Sequence, residues 1–599
     1  LQLNRGWHFL VAPVPATATA PVTLTALRLI SGQQNSAALA GELPGLGALL
    51  VLFAMPPPAS GTPAVLGASF AGDGAAWATV AVTTAASSTA GATSAAVPSL
   101  VTFHEVQPAD GRAIPTPTPR FSVRLQVAPG WELDTASLRF SLDGKVAWSR
   151  ELANSAWGRL VYGEGGFERT SGVFWFMPVQ PLLAGRHQAR LEFTLIAVDP
   201  SGQSTAARKT AELEWQFTVA PISVPAVSRT RPLRIAVVGG PALAGVADEP
   251  AERIFREIIR RLNDRLARPD APDLVVIPGD ITAANSEPLY KRAVQLLQTL
   301  KIPYLVIPGR RDLDLGGNTS RDQFLKTWGL TCGRLDISTT RLLLLDTVEG
   351  IGGHDPTQWD WFARELANGP EGKIRRYVIF SYRSPLTPLS GGTDTGWPQA
   401  EEPEKLVSLL SAVGQAASAS SAGPAKAAPG SDTAPEIVFV SGSPAAFLAQ
   451  QDCGILYLTS GGGGRQPEAP PEAGGFYHWL ELTLPPDGPA RWSVVPLVQS
   501  ITLGGLPDKL RVNGSVTPWA IADLYTASRS PLRVTVQPPL AYKWSVNDPR
   551  LASIDPLTGE LTGKAPGKVQ VTLEVGGVSA SKPVEIVPPA PLARATSSG

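Results

Sequence analysis

Apolar residues fall into two rhythms along this chain. Between residues 233 and 484, short continuous apolar runs each end in glycine or serine punctuation: Arg234-Ile235-Ala236-Val237-Val238-Gly239-Gly240, Leu274-Val275-Val276-Ile277-Pro278-Gly279-Asp280 and Tyr304-Leu305-Val306-Ile307-Pro308-Gly309-Arg310-Arg311-Asp312. Tyr377-Val378-Ile379-Phe380-Ser381-Tyr382-Arg383-Ser384-Pro385 and Ile437-Val438-Phe439-Val440-Ser441-Gly442-Ser443 complete the set. Such runs predict strands buried on both faces. Helical spacing fills the gaps. Pro250–Leu266 brings Ile254, Phe255, Ile258, Ile259, Leu262 and Leu266 to one face, and Ser286–Leu300 does so with Leu289, Ala293, Leu296 and Leu297. Alternating strand and helix predicts a layered α/β domain over 230–498.

Outside that region the period is two. Phe121–Val127 and Ser137–Leu142 alternate, the latter before the hairpin signal Asp143-Gly144, and Glu214–Val219 closes the segment. Residues 100–225 are expected to form one β-sandwich, and 1–99 another. The latter is built from Leu3–Val14, Val22–Ile30, Gly47–Met55 and Trp77–Val82 and followed by a Ser/Thr/Ala linker, Thr83–Ser99. His8, a lone histidine beside Trp7, reads as packed or surface-exposed rather than as a ligand. Residues 499–589 form a third β-module, and 590–599 a flexible tail. Ala416–Pro435, rich in Ala, Ser, Gly and Pro after a helix ending near Val413, reads as a flexible insertion.

Composition narrows the function. The chain has 599 residues, enough for several domains of about 100–200 each. Its 51 basic and 51 acidic residues balance, which argues against a polybasic surface for nucleic acid or anionic lipid. With 58 Gly, 57 Pro and only 17% charged residues, the composition fits turn-rich β-modules. No apolar run reaches the ~18 residues of a membrane-spanning helix. The start at Leu1 is what a removed secretory signal would leave. Cys332 and Cys453 admit two readings: one disulfide in an oxidising compartment, or two inert buried thiols. Asn318-Thr319-Ser320 and Asn513-Gly514-Ser515 match glycan acceptor triplets.

Two resemblances sharpen these expectations. Lys543-Trp544-Ser545-Val546-Asn547-Asp548-Pro549 with Ala552–Pro556 and Thr558–Gly567 resembles a bacterial Ig-like domain of group 2, which implies a core Trp544 and turn glycines. Residues 100–225 are similar to Ig-like modules of bacterial surface proteins, and the opening strand to secreted bacterial β-modules. The punctuated strands of 233–484, with Leu343–Thr347, Gln358–Phe362 and Leu456–Gly464, resemble calcineurin-like metallophosphoesterases. That family holds two divalent metals on carboxylate, imidazole and amide side chains at strand-end loops. Here those loops read Gly239-Gly240-Pro241-Ala242, Gly279-Asp280, Gly309-Arg310-Arg311-Asp312, Arg383-Ser384-Pro385 and Gly442-Ser443-Pro444-Ala445, so Asp280 alone survives of the ligand set. His354 and His478 stand outside the motifs.

The expectation is therefore multidomain: Ig-like β-sandwich modules flanking a degenerate metallophosphoesterase-like α/β sandwich, with no catalytic residues, metal or cofactor. Asp280 is expected to pair with Arg310 or Arg311. A second reading gives Arg310 and Arg311 to an anion such as phosphate. Asp312, Asp314 and Asp346 offer a single-cation reading against a solvated loop, and Gly461–Gly464 a phosphate cradle. The implied function is a secreted, cell-surface structural protein (surface layer, filament or adhesin) that self-associates or binds surface proteins and glycans. Competing classes are a phosphoesterase with a rebuilt site and a non-catalytic anion or nucleotide sensor.

Overall fold

Continuous apolar runs become strands covered on both sides, and the pleat sorts their side chains between two cores. The computed structural model describes residues 100–589 apart from 200–202, 229, 246–248, 317–318, 368–373, 387–395, 421–434 and 528–529. Before residue 83 it describes the backbone of six strands. The chain divides into two units, Leu1–Ala96 and Val97–Gly599.

In the first unit, Gly6–Pro13, Ala48–Met55 and Ala38–Leu43 form one three-stranded antiparallel sheet. Thr23–Leu29, Ala64–Ala71 and Ala78–Val82 form the other. The His8 side chain, the linker expected over 83–99 and the tail of 590–599 lie outside the described residues.

In the second unit, the α/β region contains eleven strands: β1 (Leu233–Val237), β2 (Leu274–Pro278), β3 (Tyr304–Ile307), β4 (Gly333–Ile337), β5 (Thr340–Leu345) and β6 (Arg376–Arg383), then β7 (Glu436–Ser443), β8 (Phe447–Asp452), β9 (Ile455–Ser460), β10 (His478–Leu484) and β11 (Arg491–Pro496). They make two sheets, ordered β3-β2-β1-β10-β11 and β4-β5-β6-β7-β9-β8. β1–β3 pair in parallel, as do β5, β6, β7 and β9; the remaining pairs are antiparallel.

Alternate residues face opposite layers. Leu233, Ile235, Val237 and Val276 of one sheet meet Leu342, Leu344, Val378, Phe380, Val438 and Val440 of the other in a shared core. The intervening Ala236, Val238, Val275 and Ile277 face α1 (Pro250–Asp264) and α2 (Glu287–Leu297). Leu343, Leu345, Ile379 and Phe439 face α5 (Thr357–Ala367) and α6 (Glu402–Ser420), while α3 (Arg310–Leu313) and α4 (Asp322–Trp328) cross the strand ends. The result is four layers, helix–sheet–sheet–helix. Each fully buried aliphatic or Phe side chain contributes about 1.5–3 kcal/mol of transfer free energy.

Two expectations shift. Leu266 lies past the end of α1 and is 41% exposed, because the chain turns away after the C-cap at Arg265. The helix expected to end near Val413 continues to Ser420, since Ala and Ser there tolerate helix; most of the expected insertion lies outside the described residues.

The flanking modules are all β. Residues 100–219 form a five-stranded and a four-stranded sheet closed over Phe121, Phe140, Phe174, Phe176, Trp215 and Phe217. Residues 498–587 form sheets of three, four and three strands. Trp544 is buried on Tyr542–Val546, and Gly559 takes φ +74° in the turn beneath it. A Cβ on Gly559 would lie 2.8 Å from the Trp544 ring, so both conformation and space call for glycine.

Charged side chains fasten the modules together. Arg261 of α1 donates to the carbonyls of Gly576 and Val498 (both 2.6 Å) and to Glu257, with its guanidinium over the Tyr525 ring. On the other side Arg120, from the 100–219 sandwich, donates to Asp355 (2.6 Å) and to Thr357.

Candidate functional site

The C-terminal ends of β1, β2, β3, β6, β7 and β9 converge, as ligand-binding crevices in α/β sheets do. Here the crevice is filled by the chain itself. Amides in the glycine loops bond internally: Gly239 to the Ser460 carbonyl, Gly240 to Gly279, Gly461 to Ala446, Gly463 to Gly239 and Arg465 to Gly240. A Cβ on Gly442 would sit 1.8 Å from the Pro278 carbonyl oxygen, so main chain touches main chain there. The phosphate cradle read into Gly461–Gly464 is therefore corrected: its glycines are buried, and the Gly461 and Gly463 amides are committed inside the fold.

Asp280 lies at the centre, 1% exposed, with φ +49°. Aspartate tolerates that left-handed backbone better than most residues. Its Oδ1 accepts the Arg311 amide (2.9 Å); its Oδ2 accepts the Tyr382 hydroxyl (3.0 Å) and Arg465 Nη1 (3.4 Å). Arg311 Nε stands 3.9 Å from Oδ2. Burial pushes the Asp280 carboxyl above its usual range, opposed by the Arg311 amide, the Arg465 and Arg311 charges and Tyr382.

Asp312 lies beside it, fully buried on α3. Its Oδ1 accepts the Thr282 amide and hydroxyl (both 2.8 Å), and its Oδ2 the amides of Gly309 (2.8 Å) and Ile281 (3.3 Å). Tyr290 donates to its carbonyl (2.5 Å). Burial, followed by the Asp280 charge, raises its pKa as well.

This donor set does not fit a divalent cation. Lone pairs of Asp280 and Asp312 that would bind metal instead meet N–H and O–H donors, two of them on arginine. Among the described residues, no group of three or more His, Cys, Asp or Glu is arranged to hold a metal ion.

The remaining sequence candidates scatter. Arg310 opens α3, and its carbonyl accepts the Asp314 amide (3.1 Å). Asp314 Oδ1 accepts the Gly316 amide (2.8 Å). Asp346 is buried against Arg321, bonded by Nε (2.6 Å) and Nη2 (3.3 Å). Asp312 and Asp346 thus belong to separate buried clusters rather than to a solvated loop. Arg383 turns away to the carbonyls of Thr347 (3.0 Å) and Val348 (2.9 Å). His478 is buried between Phe447 and Phe476, its Nδ1 on the Phe476 carbonyl (2.8 Å), and burial lowers its pKa to about 4. His354 lies elsewhere, against the 100–219 sandwich. Asn513 is exposed at φ +65°, whereas Asn318 lies outside the described residues.

Of the two cysteine readings, the disulfide does not form, and of the two thiols only Cys332 is buried. Both thiols are free. Cys332 precedes β4 at one edge of the six-stranded sheet, and Cys453 turns between β8 and β9 at the other. At about 4.8 Å per strand the edges of a six-stranded sheet lie roughly 24 Å apart, beyond the ~7 Å Cα reach of a disulfide. Cys332 is buried, and burial raises its pKa to about 11; Cys453 is exposed.

Sequence reasoning passed over Arg465 and Tyr382. Arg465 directly follows the glycine run and Tyr382 adjoins Arg383, so position next to a strand-end loop was the available signal.

No family model matches the chain, and no curated protein does. Among solved structures, domains 4 and 5 of the S-layer protein SbsC align with 19% of this chain and 69% of that one, at 12% identity and TM-score 0.12. SbsC domains 1–6 align with 98% of this chain at 10% identity and TM-score 0.14. This chain covers 54% of that structure, about half its length. An FMN-binding β-glucuronidase from Facaelibacterium prausnitzii L2-6 aligns over 82% of this chain and 74% of that one, at 9% identity and TM-score 0.20. Scores this low leave the functional reading to the chain's own residues.

Proposed function

We propose that this protein is an extracellular structural component of a cell surface, in which a phosphoesterase-like α/β block without catalysis serves as a rigid unit between Ig-like β-modules. One observation carries the reading: the strand-end crevice where such a fold would do chemistry is plugged by Asp280 with Tyr382, Arg311 and Arg465 each bonded to its carboxylate. Carboxylate lone pairs there are spent on internal hydrogen bonds, which favours cohesion over turnover.

The joints agree with that role. Arg261 and Arg120 are buried between modules and bond across them, so bending at either joint would strand a desolvated guanidinium. No helix among the described residues is long and apolar enough to cross a membrane. Assembly would then come from contacts between copies, or with other surface proteins and glycans.

Electron microscopy and analytical ultracentrifugation of the full chain across a concentration series test this. Ordered oligomers, sheets or filaments that grow with concentration are expected. A monodisperse monomer at the highest concentrations would count against assembly.

A further inference from the structure

A second cluster of charge, partly buried, lies where the 100–219 sandwich meets the α/β block. His354 is at its centre. Its Nε2 is 2.5 Å from Glu105 Oε2, and its Nδ1 is 2.8 Å from Glu349 Oε2. Glu105 comes from the sandwich strand Val101–Gln107; Glu349 and His354 come from the loop between β5 and α5. Arg124, on the sandwich strand Phe121–Val127, donates through Nε to Glu105 (3.1 Å) and through Nη2 to the His354 carbonyl (2.8 Å). That Nη2 also lies 2.9 Å from His354 Nε2. Arg321, the N-cap of α4, reaches Glu349 (3.1 Å) and Asp346. Asp346, Asp355 and Cys332 line the same cavity, whose volume of about 20 Å³ has room for one water.

We propose that His354 is a protonation-controlled latch between the sandwich and the α/β block, closed while its imidazolium bridges Glu105 and Glu349 and loosened when the ring becomes neutral. Only the charged ring serves both carboxylates at once, although it brings its Nε2–H within 2.9 Å of Arg124 Nη2, a second donor. An imidazolium donates from both nitrogens, one to each carboxylate. A neutral ring protonated at Nδ1 still serves Glu349 and can accept from Arg124, but it sets the Nε2 lone pair against Glu105 at 2.5 Å. A ring protonated at Nε2 abandons Glu349 instead. Either tautomer leaves one carboxylate short of a donor: Glu105, mostly buried and left with Arg124, or Glu349, 34% exposed and still held by Arg321 and Thr319. The loss is greater at Glu105, where the local dielectric is lower.

The direction with pH follows. Burial lowers the His354 pKa, but hydrogen bonds to Glu105 and Glu349 outweigh it and the net shift is upward. The latch is therefore complete below the unfolded histidine value of about 6.5 and is lost as pH rises through the folded value. Burial alone would raise the Glu105 pKa; His354, Arg321 and Arg124 bring it down to about 2. Glu349 is also lowered, with the His354 hydrogen bond the largest cause. Both carboxylates thus hold above about pH 4.5 and fail only in stronger acid. The joint is tightest between those limits. This inference does not depend on the assembly reading.

Hydrogen exchange of the full chain, corrected for intrinsic rates and followed in peptides covering Val101–Gln107 and Phe121–Val127, tests it. Protection in the wild type should fall about tenfold between pH 6 and pH 9, the size of one charged hydrogen bond. His354→Gln should give low protection with no such fall, while His187→Gln, whose histidine pairs with Asp143 away from the joint, should keep it. Glu349→Gln, which removes one carboxylate, should move the fall to lower pH. A flat wild-type profile would overturn the latch, as would a His354→Gln profile that still falls. If His354→Gln does not fold, an unshifted Glu349→Gln profile overturns it.

Discussion

Asp312→Ala is expected to destabilise the α/β block by about 2–4 kcal/mol, because buried donors left without an acceptor cost about 1–3 kcal/mol each and relief of the repulsion with Asp280 offsets part of the loss. The carboxylate is the acceptor for four donors, on Thr282 (two), Gly309 and Ile281, all buried within the strand-end plug. Alanine leaves every one of them facing a void. Asp312→Asn should fall between wild type and alanine: it keeps one acceptor oxygen but turns an NH₂ group toward amides that also donate. Urea unfolding followed by tryptophan fluorescence measures both. A loss below about 1 kcal/mol for alanine would mean that these bonds are dispensable.

Arg321→Met is expected to cost a similar amount, about 3–5 kcal/mol. Its guanidinium is 2% exposed and grips the buried Asp346 through two nitrogens, with a third on Glu349. Methionine fills much of the volume, so the loss isolates the stranded charge of Asp346 rather than a cavity. Arg321→Lys should recover only part of it, because an ammonium cannot reproduce the two-pronged fit. The same unfolding measurement applies. Equal stability of the methionine variant and the wild type would show that Asp346 needs no partner there.

Much of this was readable in the sequence. The apolar runs at Leu233–Val238, Leu274–Pro278 and Ile437–Val440 became strands covered on both faces, and the face of Ile254, Phe255, Ile258 and Ile259 became the buried side of α1. The loss of histidine and amide ligands around Asp280 was legible as well, but the local pattern puts Asp312, which lies beside it as a second buried carboxylate, in a solvated loop. The partners of Asp280 were less legible. Arg311 lies within a strand-end motif, but Arg465 is 185 residues from Asp280, and no local pattern links them. The joint was illegible for the same reason: Glu105 and His354 lie 249 residues apart, and pairing over that distance is a property of the folded chain. The choice between a disulfide and free thiols was undecidable for the same reason, since the six-stranded sheet places Cys332 and Cys453 at opposite edges, and composition carries no record of strand order.

The central claim, that the strand-end crevice is structural and not a metal site, is tested most directly on Asp280. Purified wild type and Asp280→Ala are compared for metal content by elemental analysis, thermal stability with and without EDTA, and hydrolysis of an aryl phosphate with added Mn²⁺. The account predicts no stoichiometric metal, no effect of EDTA on the melting temperature and no turnover, with Asp280→Ala clearly less stable because Tyr382 and Arg465 lose their shared acceptor. Stoichiometric metal in the wild type, with turnover that Asp280→Ala abolishes, would contradict it.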